Sequence, residues 1–250
     1  MASLDFPNPA VTPAFMPANS TAYAWNGTLW LGNRMPISAA ASSPTIAFRS
    51  HTSTGYLAGV MSTVLTPPAG LANGDILVAM LITARGTLPI YATTPPAGFT
   101  AWGTPTAVND GGLWAELRMY WKRAASESGS YTFAHAGTIN AQGLMQVYSG
   151  CKASGTPLGA TSNNNGTGSA ASGTSITTTA ANSWLLYQAH DWEGTGTLTP
   201  PTGMTERFDS LLYSADQLIA SAGATGARSQ TNANIASGRW AVRMVELLAA

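Results

Sequence analysis

The stretch Asn73–Thr100 reads NGDILVAMLITARGTLPIYATTPPAGFT. It opens on a turn signal, Asn73-Gly74-Asp75, and runs apolar from Ile76 to Ile82. It closes in a rigid loop, Thr94-Pro95-Pro96-Ala97-Gly98-Phe99-Thr100. A shorter version returns later as NSWLLYQAHDWEGTGTLTPPTGMT, Asn182–Thr205. The loops TPPAGFT and TPPTGMT match, and each follows an apolar, strand-like run. A strand and a loop repeated in the same order predict a duplication, or two symmetric halves of one β-architecture.

Working outward, other short strands are punctuated by turns. Thr45–Arg49, Leu57–Leu65, Tyr131–His135, Leu144–Tyr148, Ile176–Thr179, Trp184–Ala189, Asp216–Ser221 and Trp240–Leu247 read as strands. So does Leu113–Lys122, although its length would also allow a helix. Ser154–Ser175 is rich in Gly, Ser, Asn, Ala and Thr, and reads as a flexible connection or a long surface loop. No long amphipathic helix stands out. The expectation is an all-β fold, an antiparallel sandwich, with pseudo-repeated halves at about 45–150 and 176–250.

Residues 1–40 differ in character. Pro7, Pro9, Pro13, Pro17 and Pro36 forbid continuous helix. Within them lies a hairpin signal: Ala22–Trp25, the turn pair Asn26-Gly27, then Thr28-Leu29-Trp30. Tyr23, Trp25 and Trp30 supply aromatic cross-strand contact. A lone hairpin is marginal in water, so it must dock on something. The small-residue run Ser38–Ser43 places a linker after it. The domain reading is an arm, 1–40, followed by a sandwich domain, 41–250.

Composition narrows function. Charged residues are 9% of the 250, against roughly 25% in ordinary soluble domains. Such an uncharged polar surface suits faces buried in a symmetric assembly, and equally a sandwich with small-residue loops. Net charge is zero, and Lys occurs only at Lys122 and Lys152, which argues against nucleic acid. Apolar runs fall short of the roughly 18 residues that span a bilayer. Met1–Asp5 has neither a basic region nor a hydrophobic core, so no signal peptide is expected and synthesis is placed in a cytoplasm. The single Cys151 leaves no intrachain disulfide.

Phosphate loops, dinucleotide fingerprints and nucleophile elbows are absent from the sequence, and no cofactor is expected. His51, His135 and His190 have no metal-type spacing. His190-Asp191-Trp192-Glu193 is the best acidic cluster and reads first as a solvated loop. Cys151 reads as an inert thiol. Acidic residues offer no defensible catalytic pair, so an enzyme is not expected. Trp102, Trp114 and Trp192 fall in or near expected loops and strand ends. They are candidates for a sugar-stacking platform, with core or interface filling as the alternative.

Two sets of residues carry a resemblance. Phe6-Pro7-Asn8-Pro9 followed by Tyr23-Ala24-Trp25-Asn26-Gly27-Thr28-Leu29-Trp30 resembles a short N-terminal motif of tailed-bacteriophage tail and fibre proteins. This chain has Thr12-Pro13 where that motif usually carries Gly-Gln. Gly74-Asp75-Ile76-Leu77, the Pro-Pro loop, Tyr120-Trp121-Lys122, Gly129–Phe133 and Tyr148-Ser149-Gly150 resemble a jelly-roll-like β-sandwich of phage structural proteins. The resemblance implies a virion component made in a host bacterium, trimeric or displayed in many copies. It also implies an arm that docks through Phe6, Pro7, Pro9, Tyr23, Trp25 and Trp30 onto other virion proteins. A tail or fibre protein is the first expectation. A capsid decoration or head-fibre protein is the second, and a carbohydrate-binding module contacting a host-surface glycan the third.

Overall fold

In a half-solvated strand, buried residues alternate with exposed ones. Ile76–Ala84 does not alternate: every residue in it is buried. A strand apolar on both sides must have a layer packed on each face, and that requirement organises the molecule. The computed structural model describes residues 14–15, 22–25, 30–33, 45–110, 112–191, 198–232 and 238–250, with side chains described from residue 45 onward, Asp110 excepted.

The chain divides into two compact units, Met1–Ser42 and Ser43–Ala250. In the first, β1 (Ala14–Phe15), β2 (Ala22–Trp25) and β3 (Trp30–Asn33) form a three-stranded antiparallel sheet. The register pairs Trp25 with Trp30 and Tyr23 with Gly32. A two-residue Asn-Gly turn would have put Trp25 opposite Thr28. The observed register instead puts Trp30 opposite Trp25. The arm also gains β1, a two-residue edge strand between Pro13 and Pro17, a position where proline is tolerated.

The second unit holds two copies of one topology. Its first half contains β4 (Ala47–Ser53), β5 (Leu57–Leu65), β6 (Ile76–Arg85), β7 (Thr93–Thr94), β8 (Thr100–Ala101), β9 (Thr106–Asp110), β10 (Leu113–Arg123) and β11 (Tyr131–Ser149). Its second half contains β12 (Leu158–Thr167), β13 (Ala170–Gly173), β14 (Ser183–Asp191), β15 (Leu198–Thr199), β16 (Thr205–Asp209), β17 (Leu212–Ile219), β18 (Arg228–Asn232) and β19 (Arg239–Leu247). The main sheets run β4-β11-β6-β10-β8 and β12-β19-β14-β17-β16. These are the same order, position by position.

The smaller layers correspond as well. The start of β11 pairs β5 and β7, and β18 pairs β13 and β15. Thus β11 does in one bulged strand what β18 and β19 do in two. Only β9 has no counterpart among the described strands. First strand beside last, and third between last and sixth, is the jelly-roll winding. Each half is therefore a sandwich in its own right, rather than one half of a single sandwich.

The two five-stranded sheets pack face to face, with a three-stranded layer outside each. Side-chain alternation sorts β6 between two cores. Ile76, Val78, Met80 and Ile82 join Leu186, Leu212, Val245 and Leu247 between the halves. Leu77, Ala79 and Leu81 join Phe99, Phe133 and Val147 beneath the first small layer. Leu185, Tyr187, Met204 and Met244 fill the second half. Each Val, Leu, Ile, Phe or Met among them contributes about 1.5–3 kcal/mol on burial.

The repeated loops are the same turn twice. Phe99 N–H donates to Pro96 O at 3.2 Å, and Met204 N–H to Pro201 O at 3.0 Å. Gly98 and Gly203 hold φ of +85° and +80°, the positive value that the third residue of a type II turn requires. Phe99 and Met204 both turn inward as plugs.

Several sequence expectations are corrected. Ser154–Ser175 is not a loop: it holds β12 and β13, so the second half begins at Leu158 rather than 176. Three of its glycines, Gly159, Gly166 and Gly173, leave room for a neighbouring side chain. A Cβ on Gly166 would lie 2.6 Å from the Trp240 ring, and one on Gly173 2.6 Å from Met244. Tyr131–His135 and Leu144–Tyr148 are one strand, β11. Ile176–Thr179 makes only an isolated bridge, Thr177 to Ala224. The strand expected at Asp216–Ser221 spans Leu212–Ile219.

Candidate functional site

Of the anchor residues, Tyr23, Trp25 and Trp30 lie in the arm sheet, on β2 and β3. Phe6, Pro7 and Pro9 lie outside the described residues, as does Trp192. Trp102 is 5% exposed and packs in the core between the halves, so its indole presents no face to a sugar. The Pro-Pro turn carries the chain back over β10, and Trp102 N–H donates to Met119 O at 2.8 Å, which locks the indole inward. Trp114 is half-buried on β10, opposite Arg85 of β6 and Asn109 of β9.

A pocket absent from the sequence reading opens beside β10. β8 pairs with β10 only at Thr100–Trp121 and Ala101–Tyr120, and β9 only from Thr106–Leu117 onward. Residues 102–105 bridge the gap, leaving a pocket of about 160 Å³ bounded by Thr93, Pro95, Gly103, Pro105, Arg118 and Tyr120. Trp114, Glu116, Arg118 and Tyr120 occupy alternate positions of β10 and so share one face.

Arg118 is the pocket's polar centre. Its Nε donates to Thr83 Oγ1 at 3.2 Å, and its Nη2 to Tyr91 O at 3.3 Å and to the Glu116 carboxylate. The Arg118 guanidinium also stands within hydrogen-bonding reach of Tyr120 OH, and its Nη1 is not among the sealed, unpaired polar atoms. Burial raises the Glu116 carboxyl above its ordinary value, opposed by the Arg118 charge. Tyr120 OH donates to Thr93 O at 3.4 Å.

Behind the pocket wall lies a second guanidinium. Arg243 of β19 is 1% exposed and donates to Thr104 O. Its Nε is unpaired and no carboxylate pairs with it among the described residues. Burial lowers its pKa to about 10. Gly103 separates it from the pocket: a Cβ there would lie 2.8 Å from Arg243 Nη1, and φ is +70°. Glycine is the residue that meets both demands.

The other candidates are structural in their surroundings. His135 is held by Thr63 Oγ1 at 2.9 Å on Nε2 and by Thr93 Oγ1 at 3.0 Å on Nδ1. Burial, then the Arg118 charge, lowers its pKa to about 4. His190 is fully buried with Nδ1 3.1 Å from Leu211 O. Cys151 is buried, and burial pushes its thiol up to about 12; a nucleophilic thiol needs the opposite shift. Among the described residues no group of His, Cys, Asp and Glu is placed to hold a metal ion.

Arg118 was hidden in the sequence because it sits mid-strand in a run with no motif. The gap between two short edge strands makes it a pocket residue. No family model matches the chain, and no curated protein or solved structure matches it.

Proposed function

We propose that this chain is a structural protein of a tailed-bacteriophage virion, of the tail or its fibre apparatus, docked by its N-terminal arm and displaying a double jelly roll. The observation that carries the reading is the Pro- and aromatic-rich arm, whose sheet sets Trp25 across from Trp30 in a unit distinct from residues 43–250. Strands of two, four and four residues fall at or below the low end of the usual length of about three to ten, and a docking partner among other virion proteins would complete the unit. Low charge, at 9% of residues, fits faces covered by neighbouring copies, with a trimer the favoured assembly. Jelly rolls recur in capsid and lectin domains, which accords with display on a particle.

Mass spectrometry and electron microscopy of purified particles test the reading. The chain should be present in small multiples of three or six, at the tail. Copies on the order of hundreds would move it to the capsid as a decoration or head-fibre protein. Absence from particles would refute both. A receptor-recognition role, contacting host glycan, is favoured by one feature: the pocket at Arg118, with half-buried Trp114 on the same strand face.

A further inference from the structure

We propose that the pocket between the Thr93–Pro105 segment and β10 is a binding site for a small oxyanion, a carboxylate or phosphate, gripped by the Arg118 guanidinium, which Tyr120 OH helps to orient.

Three of the five N–H donors of the guanidinium are taken: Thr83, Tyr91 and Glu116 hold Nε and Nη2. That grip fixes the plane of the group, which lines the pocket, and a pre-oriented guanidinium with two N–H donors left on Nη1 loses little freedom on binding. Charge points the same way. Arg118 and Arg243 flank residues 103–105, against the single carboxylate of Glu116. Arg243 has no carboxylate partner among the described residues, and a buried charge without a counter-charge is costly. An anion in the pocket supplies that counter-charge through the thin wall at Gly103, where no side chain intervenes.

Size sets the ligand. About 160 Å³ accommodates a carboxylate or phosphate group with part of a ring, and excludes a peptide or an oligosaccharide entering whole. Pro95 and Pro105 give the walls apolar surface suited to the face of a sugar. The shared chemistry is the oxyanion, and it has two sources: inorganic phosphate, or the acid group of a uronic-acid sugar. Trp114 lies four residues from Arg118 on the same face of β10, roughly 13 Å along the strand, where a longer acidic glycan would pass. The site belongs to residues 43–250 alone, so failure here leaves the anchoring role of the arm untouched.

The test is a titration of the full chain, followed by NMR of the arginine Nε–H and backbone amide signals, at constant ionic strength. The probes are sodium phosphate, sodium glucuronate and glucose. Saturable shifts at Arg118 and Gly103 with phosphate and glucuronate, and none with glucose, are expected. Tighter binding of glucuronate identifies an acidic sugar as the source, and tighter binding of phosphate the free ion. Arg118→Gln should weaken binding at least about tenfold, the loss of a charge-assisted hydrogen bond. Tyr120→Phe keeps the packed ring and guards against misfolding, and it should weaken binding severalfold. No saturable shift with either anion would overturn the proposal. So would an equal response to glucose, or binding unchanged in both variants.

Discussion

The hydroxyl of Tyr148, on β11, donates to Asp216 Oδ2, on β17, at 3.2 Å, across the boundary between the two jelly rolls. Both residues are buried. Asp216 also takes Arg207 Nε at 3.0 and 2.8 Å on its two oxygens. Arg207 in turn lies 4.6 Å over the Phe48 ring and 5.9 Å from the Trp184 ring. Burial raises the Asp216 carboxyl above its ordinary value, and Arg207 and Tyr148 oppose that shift. One polar cluster thus ties β4 and β11 of the first half to β14, β16 and β17 of the second.

Removing one partner from this cluster should be worse than removing its least charged bond. Arg207→Met strands a buried carboxylate and should cost about 3–5 kcal/mol. Tyr148→Phe should cost about 1 kcal/mol. Urea denaturation measures both; equal losses would mean that Arg207 does not compensate the charge.

The glycines of β12 are clearance residues. Gly166→Ala drives a methyl into the Trp240 ring and should destabilise by about 1–3 kcal/mol. Gly86→Ala, where a Cβ meets nothing within 4 Å and φ is not positive, should be neutral or gain up to about 1 kcal/mol. Thermal unfolding of the two variants against the parent separates them.

His135 makes stability depend on pH in a defined window. Its folded pKa is lowered from 6.5 to about 4, so the unfolded chain binds a proton first. Stability should fall as pH drops from about 6.5, with the penalty complete below about 4 and on the order of 3 kcal/mol. Asn232 holds the corresponding place in the second half, opposite Leu198 as His135 is opposite Thr93. His135→Asn should flatten the curve between pH 6.5 and 4; an unchanged slope would contradict the assignment.

Glu246 acts at lower pH. Burial pushes its carboxyl up, but donors from Ala160, Ala180 and Thr179 outweigh that and hold it below its ordinary value. Its stabilisation is present above the unfolded value near 4.5 and is lost as pH falls through the lower folded value. Glu246→Gln removes a charge-assisted acceptor from the Thr179 and Ala180 amides, at 2.8 and 3.0 Å from Oε1, and should cost about 1.5–3 kcal/mol. The loss should vanish when measured well below pH 4.

Much of the fold was legible in local chemistry. The Ile76–Ile82 run and the paired Pro-Pro-x-Gly loops read correctly because burial on both faces and a positive-φ glycine leave direct marks in sequence. β12 and β13 did not read as strands, because their stability comes from backbone pairing and from room left for Trp240 and Met244. A run of Gly, Ser and Asn looks the same whether it is loose or tightly packed. Trp102 reads as a loop residue, and it is one; the hydrogen bond of its N–H to Met119 O, a tertiary contact, turns it inward. The pocket at Arg118 was illegible for the same reason, since it exists only in the gap between β8 and β9.

The central claim is that residues 1–42 dock the chain and residues 43–250 form the displayed body. It is tested most directly by deleting residues 1–42 and following the remainder through particle assembly. The account predicts a folded 43–250 chain, unfolding cooperatively near the temperature of the parent, and missing from purified particles. A truncated chain that is folded and still incorporated at the parent's copy number would contradict it.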